Sequence, residues 1–228
     1  QLRRLLPRLH RKLGLPRPTP AAPARPEVLH LSLPPAASVE QAAALALATP
    51  EAPVHYVENS LLPGLFGLLF WDAIFAPVPG AFFHPFQSGP ADLHHPEFRR
   101  RRRAEFDAGF QALADGEHRA RILARYREKS GRLSPFVHWG RLSEALLEQA
   151  LDCLPAEHLA LCFERLLADI AANRAGLPDL IQFWPAQRRY RMVEVKGPGD
   201  RLQDNQRRWL DFFIARDLPV AVCQVTWQ

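Results

Sequence analysis

An acid and an acid–lysine pair lie on either side of a gap long enough for a β-hairpin. Asp179 follows Pro178, and fourteen residues separate it from Glu194, which stands two positions before Lys196. Residues two apart on a strand project from the same face, so Glu194 and Lys196 share a face if their apolar segment is a strand. A hairpin that turns near residues 185–188 then places Asp179 opposite the end of the second strand, where the three side chains meet.

Two carboxylates that converge at strand ends form a hard-oxygen site suited to Mg²⁺ or Mn²⁺, which takes further ligands from water and phosphate. A lysine beside them can orient or deprotonate a water molecule, or offset charge that develops on phosphate oxygens. Each motif alone is weak, since a Glu-x-Lys pair on a strand is more often a surface ion pair and Pro-Asp is an ordinary turn dipeptide. Their combination with the Gly-Pro-Gly break at residues 197–199 and a basic helix after it is specific.

The elements that must position these residues follow from the apolar pattern of the C-terminal part. Residues 180–184 and 191–195 are predicted strands, residues 202–214 carry apolar side chains at helical spacing, and residues 219–225 are a predicted β-branched strand. An ending of strand, helix and strand favours a parallel crossover. We therefore predict an α/β fold in which a mixed sheet is flanked by helices.

Upstream of this sheet the sequence is mostly helical. Ser38 is a predicted N-cap, and residues 60–75 are nearly all apolar, which is typical of a buried helix. Residues 81–98 are rich in Pro, His and Phe without a period, and this predicts an ordered loop. The remaining upstream predictions are a short strand at residues 28–33 and helices at residues 38–47, 99–127, 143–151 and 156–173.

Arginine dominates the basic residues. The chain has 29 Lys and Arg against 24 Asp and Glu, a net charge of +5, and its lysines are Lys12, Lys129 and Lys196. Such a chain suits a polyanionic partner, although composition alone does not establish one. Five consecutive arginines at residues 99–103 are either a solvated face or contacts to a nucleic-acid backbone. Three cysteines without CxxC spacing argue against a disulfide framework or a zinc site and indicate a reducing compartment. The sequence has no apolar run of 18 residues, so it does not predict a membrane-spanning helix.

We predict three regions along the chain. Residues 1–14 lack acids and carry leucines near helical spacing, and five prolines punctuate residues 16–26. Residues 1–36 are therefore interpreted as the end of an upstream helical region followed by a Pro-rich linker. Residues 37–155 are interpreted as a helical region that leads into a catalytic core at residues 156–228.

Several segments resemble the VRR-NUC domain of the Fanconi-associated nucleases, within the PD-(D/E)xK nuclease superfamily. The chain is similar to the C-terminal catalytic portion of a bacterial member. The resemblance implies a restriction-endonuclease-like fold with a helical N-terminal extension. It is carried by residues 174–180, 192–198, 200–202 and 206, and upstream by residues 58–60, 65–75, 86–87 and 92–93.

The resemblance also implies roles for individual residues. Asp179 and Glu194 match two metal ligands on the sheet, the backbone carbonyl of Val195 matches a further ligand, and Lys196 matches the catalytic lysine. Glu58, from the helical region, matches a third acidic metal ligand. Contacts to the substrate or to the metal ligands are implied for Gln87, Arg201, Gln206, Arg207 and Arg208.

The function implied by the resemblance is that of a structure-specific DNA nuclease that depends on Mg²⁺ or Mn²⁺. Such an enzyme acts as a 5′-flap endonuclease and 5′–3′ exonuclease on branched DNA in interstrand-crosslink repair, and we expect an intracellular, DNA-associated protein. Two alternatives stay open at this point. One is a Holliday-junction resolvase or restriction-like endonuclease, and the other is a non-catalytic DNA-binding module whose carboxylates form ion pairs only.

Overall fold

The structure, a computed structural model, describes residues 10–14 and 26–228. Within that part, one five-stranded mixed sheet has the strand order β1-β5-β4-β3-β2. Strands β1 and β4 run parallel to β5, whereas β2, β3 and β4 are antiparallel neighbours. The expected α/β fold with a mixed sheet is confirmed. The strands are β1 (Glu27–Leu33), β2 (Val54–Tyr56), β3 (Leu180–Trp184), β4 (Arg189–Lys196) and β5 (Val220–Trp227).

Helices flank the sheet and form the expected region before β3. Ser38 caps the first helix, since its hydroxyl accepts a hydrogen bond from the Gln41 amide at 3.1 Å. The helices are α1 (Val39–Leu47), α2 (Leu61–Leu69), α3 (Trp71–Ile74), α4 (Arg103–Ala114), α5 (His118–Lys129), α6 (Glu144–Cys153), α7 (Ala156–Ala168), α8 (Ile170–Asn173) and α9 (Asp204–Ala215). Every residue of α2 is buried, so this helix is surrounded by protein, as its apolar sequence predicts.

The hairpin of β3 and β4 has the predicted position. Leu180 pairs with Val193 and Trp184 with Arg189, and a short 3₁₀ turn connects the strands. Arg188 closes that turn in the left-handed region at φ 49°. Strand β4 then continues through α9 into β5, which is the predicted parallel crossover.

Three predicted helices are divided in the structure, and one strand was missed. Phe70, at φ −98° and ψ 23°, separates α2 from α3, and Gly116, at φ 76°, lies in the turn between α4 and α5. Asp169 is extended and caps α8 by accepting a hydrogen bond from the Ala172 amide at 2.9 Å. Apolar periodicity continues through all three breaks, so it does not reveal them. Strand β2 has only three residues, which is too short for a visible alternation.

The five consecutive arginines at residues 99–103 form ion pairs with acids of the same chain. Arg102 is fully buried; its guanidinium donates hydrogen bonds of 2.8 Å to both carboxylate oxygens of Asp92 and lies 4.4 Å from the centre of the Phe98 ring. The interpretation of the whole run as a solvated face or a nucleic-acid contact is therefore wrong for Arg102. The other four also have acidic partners, which are Glu164 for Arg99, Glu97 for Arg100, Asp92 for Arg101 and Asp107 for Arg103.

The sheet crosses the predicted region boundaries at residues 36 and 156. Strand β1 comes from the segment interpreted as a linker, β2 comes from the helical region, and both pair with strands of the C-terminal part. The predictions for residues 1–9 and 15–25 lie outside the described residues. In the described part of the chain, no helix has the length and apolarity that a bilayer crossing needs.

Candidate active site

The hairpin brings Asp179 to the end of β4. Leu180 and Val193 are the last paired residues of the ladder, so the next position in register sets Asp179 opposite Glu194. The Asp179 Oδ2 accepts a hydrogen bond from the Val195 amide at 2.8 Å. Because the N–H and C=O of one strand residue project toward the same edge, the Val195 carbonyl also faces the edge where Asp179 lies.

Glu194 is fully buried and poorly satisfied. Its side chain has no exposed surface, and neither carboxylate oxygen has a well-directed hydrogen-bond partner. The Nζ of Lys196 lies 2.6 Å from Oε1 on the same face of β4, as the two-residue spacing predicts. A buried carboxylate with open acceptor positions is costly, so this oxygen pair is suited to a cation.

Burial sets the protonation of both sheet carboxylates. It raises the pKa of Glu194 to about 7, and the Asp179 carboxylate adds to the rise while Lys196 opposes it. Burial also raises the pKa of Asp179 to about 6, although the Val195 amide and Lys196 both favour the charged form. Two acids whose negative forms are both disfavoured gain from a nearby positive charge.

Glu58 approaches the same place from the start of α2. Its Oε2 accepts a hydrogen bond from the Tyr56 hydroxyl, and its Oε1 accepts one from Asn59 Nδ2 at 3.1 Å. Burial and this contact with Glu58 raise the pKa of Tyr56 to about 12. The charge of Glu58 also raises the pKa of Asp179 and of Glu194, so the three acids interact electrostatically.

Backbone and side-chain contacts fix the Glu58 segment against the Asp179 segment. The Val57 amide donates to the Asp179 carbonyl at 2.8 Å, and the Leu177 amide donates to Asn59 Oδ1 at 3.2 Å. Asn59 adopts the left-handed conformation at φ 48°, which an asparagine tolerates better than most residues. Asn59 therefore contacts both an acid of the site and the chain that leads into Asp179.

A divalent cation fits this oxygen set. Within the part of the chain that the structure describes, no three His, Cys, Asp or Glu side chains are already grouped with the geometry of a metal site. The Glu58 carboxylate is hydrogen-bonded to Tyr56 and Asn59. The unsatisfied oxygens of Glu194, the facing Asp179 and the Val195 carbonyl are nevertheless the hard oxygen donors that Mg²⁺-like ions take.

Gln87 and Gln206, which the sequence predicts to contact the substrate or the metal ligands, form their hydrogen bonds away from these oxygens. Gln87 uses its side chain within a loop, donating to Ala81 and Gly89 carbonyls at 2.8 and 2.7 Å. Gln206 accepts from the Gln203 amide at 2.9 Å and so completes the N-terminal cap of α9. The predicted arginines Arg201, Arg207 and Arg208 are all exposed at the start of that helix.

Sequence reasoning missed Tyr56 and Asn59 as parts of the site. Asn59 follows Glu58 directly, Tyr56 lies two positions before it, and both side chains donate hydrogen bonds to its carboxylate. It also missed Arg141, whose guanidinium lies 5.8 Å from the centre of the Tyr56 ring. Closeness in sequence to the candidate acid Glu58 was the one available signal for Tyr56 and Asn59.

Comparison with known proteins agrees with this geometry. The model of the VRR-NUC domain family matches residues 113–227. The chain belongs to the VRR-NUC domain family. The resemblance expected from the sequence is thus confirmed, and members of this PD-(D/E)xK type depend on divalent metal.

Similarity to a bacterial protein extends across nearly the whole chain. The Fanconi-associated nuclease 1 homolog of Pseudomonas aeruginosa is 64% identical over 99% of this chain and 41% of its own length. Human Fanconi-associated nuclease 1 is 37% identical over 74% of this chain and 17% of its own length. The crystal structure of paFAN1 bound to 2nt 5′flap DNA with gap superposes with a TM-score of 0.92 at 63% identity, over 100% of this chain and 42% of that chain. The chain therefore spans about two fifths of the bacterial relative that it matches.

Proposed function

We propose that the protein is a divalent-metal-dependent, structure-specific DNA nuclease that acts on branched or 5′-flap DNA. The observation that carries the proposal is the fully buried carboxylate of Glu194, opposite Asp179, whose Oε2 has no hydrogen-bond partner and whose Oε1 has only the Lys196 ammonium beside it. A purely structural ion pair normally has both carboxylate oxygens hydrogen-bonded, because most buried polar atoms in proteins have a partner. A non-catalytic DNA-binding module has no use for this buried charge.

Each residue of the site has a distinct part in the proposed reaction. Asp179 and Glu194 would hold the cation, with Glu58 and the Val195 carbonyl as further ligands. A divalent ion bound there supplies Lewis-acid charge to the phosphate and activates a water molecule. Lys196, held beside Glu194 at 2.6 Å, orients that water and offsets charge on the phosphate oxygens. We propose Mg²⁺ or Mn²⁺, because both prefer oxygen donors.

The proposed substrate follows from the relatives and from the surface near α9. The paFAN1 structures hold 5′ flap DNA, and this chain superposes on them over its full length. Exposed Arg201, Arg207 and Arg208 at the start of α9 would contact phosphates without reading bases. Gln87 and Gln206 would act by holding their loop and helix in place. We further propose a role in interstrand-crosslink repair, in the cytoplasm and nucleoid of a bacterium.

Cleavage of a labelled 5′-flap duplex in Mn²⁺ tests this proposal. Asp179→Asn keeps the acceptor for the Val195 amide but removes the charge, so cleavage should fall by at least about a hundredfold. Glu51→Gln is the matched control, because Glu51 is an exposed acid in the turn before β2. Unchanged cleavage by Asp179→Asn would contradict the assignment. A four-way junction cut in preference to the flap would favour a resolvase instead.

A further inference from the structure

An aromatic loop borders a cavity whose lining includes Gln87 but none of the proposed metal ligands. Phe83 and Phe86 are 75% and 80% exposed, which is unusual for two large apolar side chains so close in sequence. They belong to the segment that the sequence predicts as an ordered loop rich in Pro, His and Phe. The adjoining cavity has a volume of about 740 Å³, and its walls include Trp71, Phe75 and Phe82.

The loop is held in one conformation by its own hydrogen bonds. Gln87 accepts from the Phe83 amide at 3.2 Å and donates to the carbonyls of Ala81 and Gly89. The Ala91 amide closes the loop by donating to the Ala81 carbonyl at 2.8 Å. The two phenylalanines are therefore presented to solvent by an ordered backbone, which lowers the entropy cost of binding a ligand there.

The cavity also carries positive charge. Arg132 lines it together with His84. The Arg132 side chain is exposed and has no ion pair or hydrogen bond to another side chain in residues 10–14 and 26–228. A surface with several aromatic faces and an unengaged guanidinium matches a ligand that has planar rings and anionic groups.

We propose that this cavity binds unpaired nucleotides of single-stranded DNA. Their bases stack on Phe83 and Phe86, and a phosphate pairs with Arg132. The site rests on the proposed nuclease function and adds to it a place for an unpaired strand. Stacking on aromatic side chains is tolerant of sequence because every base has a π-face. The bound strand is therefore recognised as single-stranded, whatever its bases are.

Binding in EDTA, measured by fluorescence anisotropy, tests the proposal without cleavage. One ligand is a duplex with a 5′ overhang of thymidines, and the other is a blunt duplex with the same paired region. The double variant Phe83→Ala/Phe86→Ala should lose affinity for the overhang ligand by at least about fivefold for each stacked base. Its affinity for the blunt duplex should be unchanged. Leu45→Ala, which removes an 81% exposed leucine of α1, is the matched control and should change neither affinity.

Equal loss of both ligands, or no loss of either, would overturn the proposal. Photo-cross-linking gives an independent readout, since 5-iododeoxyuridine in the overhang should label the peptide that contains residues 83–86. Labelling confined to other peptides would also overturn it. Failure of the nuclease proposal is distinguishable, because it would appear as absent Mn²⁺-dependent cleavage in the unsubstituted protein, whatever the overhang variants do.

Discussion

Replacing Glu194 by glutamine should stabilise the metal-free protein at neutral and alkaline pH. The folded pKa of Glu194 is raised from 4.5 to about 7, mainly by burial. The folded state therefore binds a proton more tightly than the unfolded state between these values, and the free energy of unfolding falls as the pH rises through that window. Glutamine resembles the protonated acid in shape but never acquires the charge.

The magnitude follows from the size of that window. A difference of one unit between the folded and unfolded pKa corresponds to about 1.4 kcal/mol. Ionised Glu194 therefore lowers the free energy of unfolding by about 3 kcal/mol above pH 7. Below pH 4.5 the acid is protonated in both states, and the two proteins should be almost equally stable. The difference in stability should therefore appear between pH 4.5 and 7 and stay constant at higher pH.

Urea denaturation in EDTA, at several pH values from 4.5 to 8, measures this difference directly. Addition of Mn²⁺ should stabilise the unsubstituted protein and leave Glu194→Gln nearly unaffected, because the cation neutralises the charge that glutamine lacks. A variant that is less stable than the unsubstituted protein at pH 8 would refute the reasoning. It would mean that the contact between Glu194 and Lys196 outweighs the cost of burying the carboxylate.

Three further substitutions test other parts of the structure. Tyr56→Phe frees Glu58 from a hydrogen bond that competes with the ion and should strengthen Mn²⁺ affinity about fivefold in calorimetric titration; unchanged affinity would show that this hydrogen bond does not hold Glu58 away from the ion. Arg102→Met removes two hydrogen bonds from Asp92, which keeps one from Arg101, and should lower the free energy of unfolding by about 3 kcal/mol, whereas Arg103→Ala, in an exposed pair, should change it by less than about 1 kcal/mol. Arg207→Gln should lower the slope of log affinity for DNA against log salt by about one, and an unaltered slope would show that this arginine contacts no phosphate.

Local patterns in the sequence predict the parts of the fold that depend on near neighbours. The hairpin around residues 185–188 and the shared face of Glu194 and Lys196 follow from strand alternation and a turn of suitable length. The helix cap at Ser38 and the crossover through α9 also follow from local sequence patterns. These features are visible in the sequence because each joins residues less than about thirty positions apart.

Features that depend on distant partners could not be read in this way. The pairing of β1 with β5 joins residues 27–33 to residues 221–227, and nothing in either segment specifies the other. The burial of Arg102 depends on Asp92 in a loop without periodicity. Glu58 was placed near the site only through family resemblance, and its contact with Tyr56 became visible only in the fold.

Anomalous diffraction from crystals soaked in Mn²⁺ tests the central claim most directly. The account predicts a peak between the carboxylates of Asp179 and Glu194, with the Val195 carbonyl in its coordination shell and Glu58 turned from Tyr56 toward the ion. The same crystals of Glu194→Gln should show a much weaker peak. Full soaking with no peak at this position, or a peak that persists unchanged in Glu194→Gln, would contradict the assignment of these residues as the metal site.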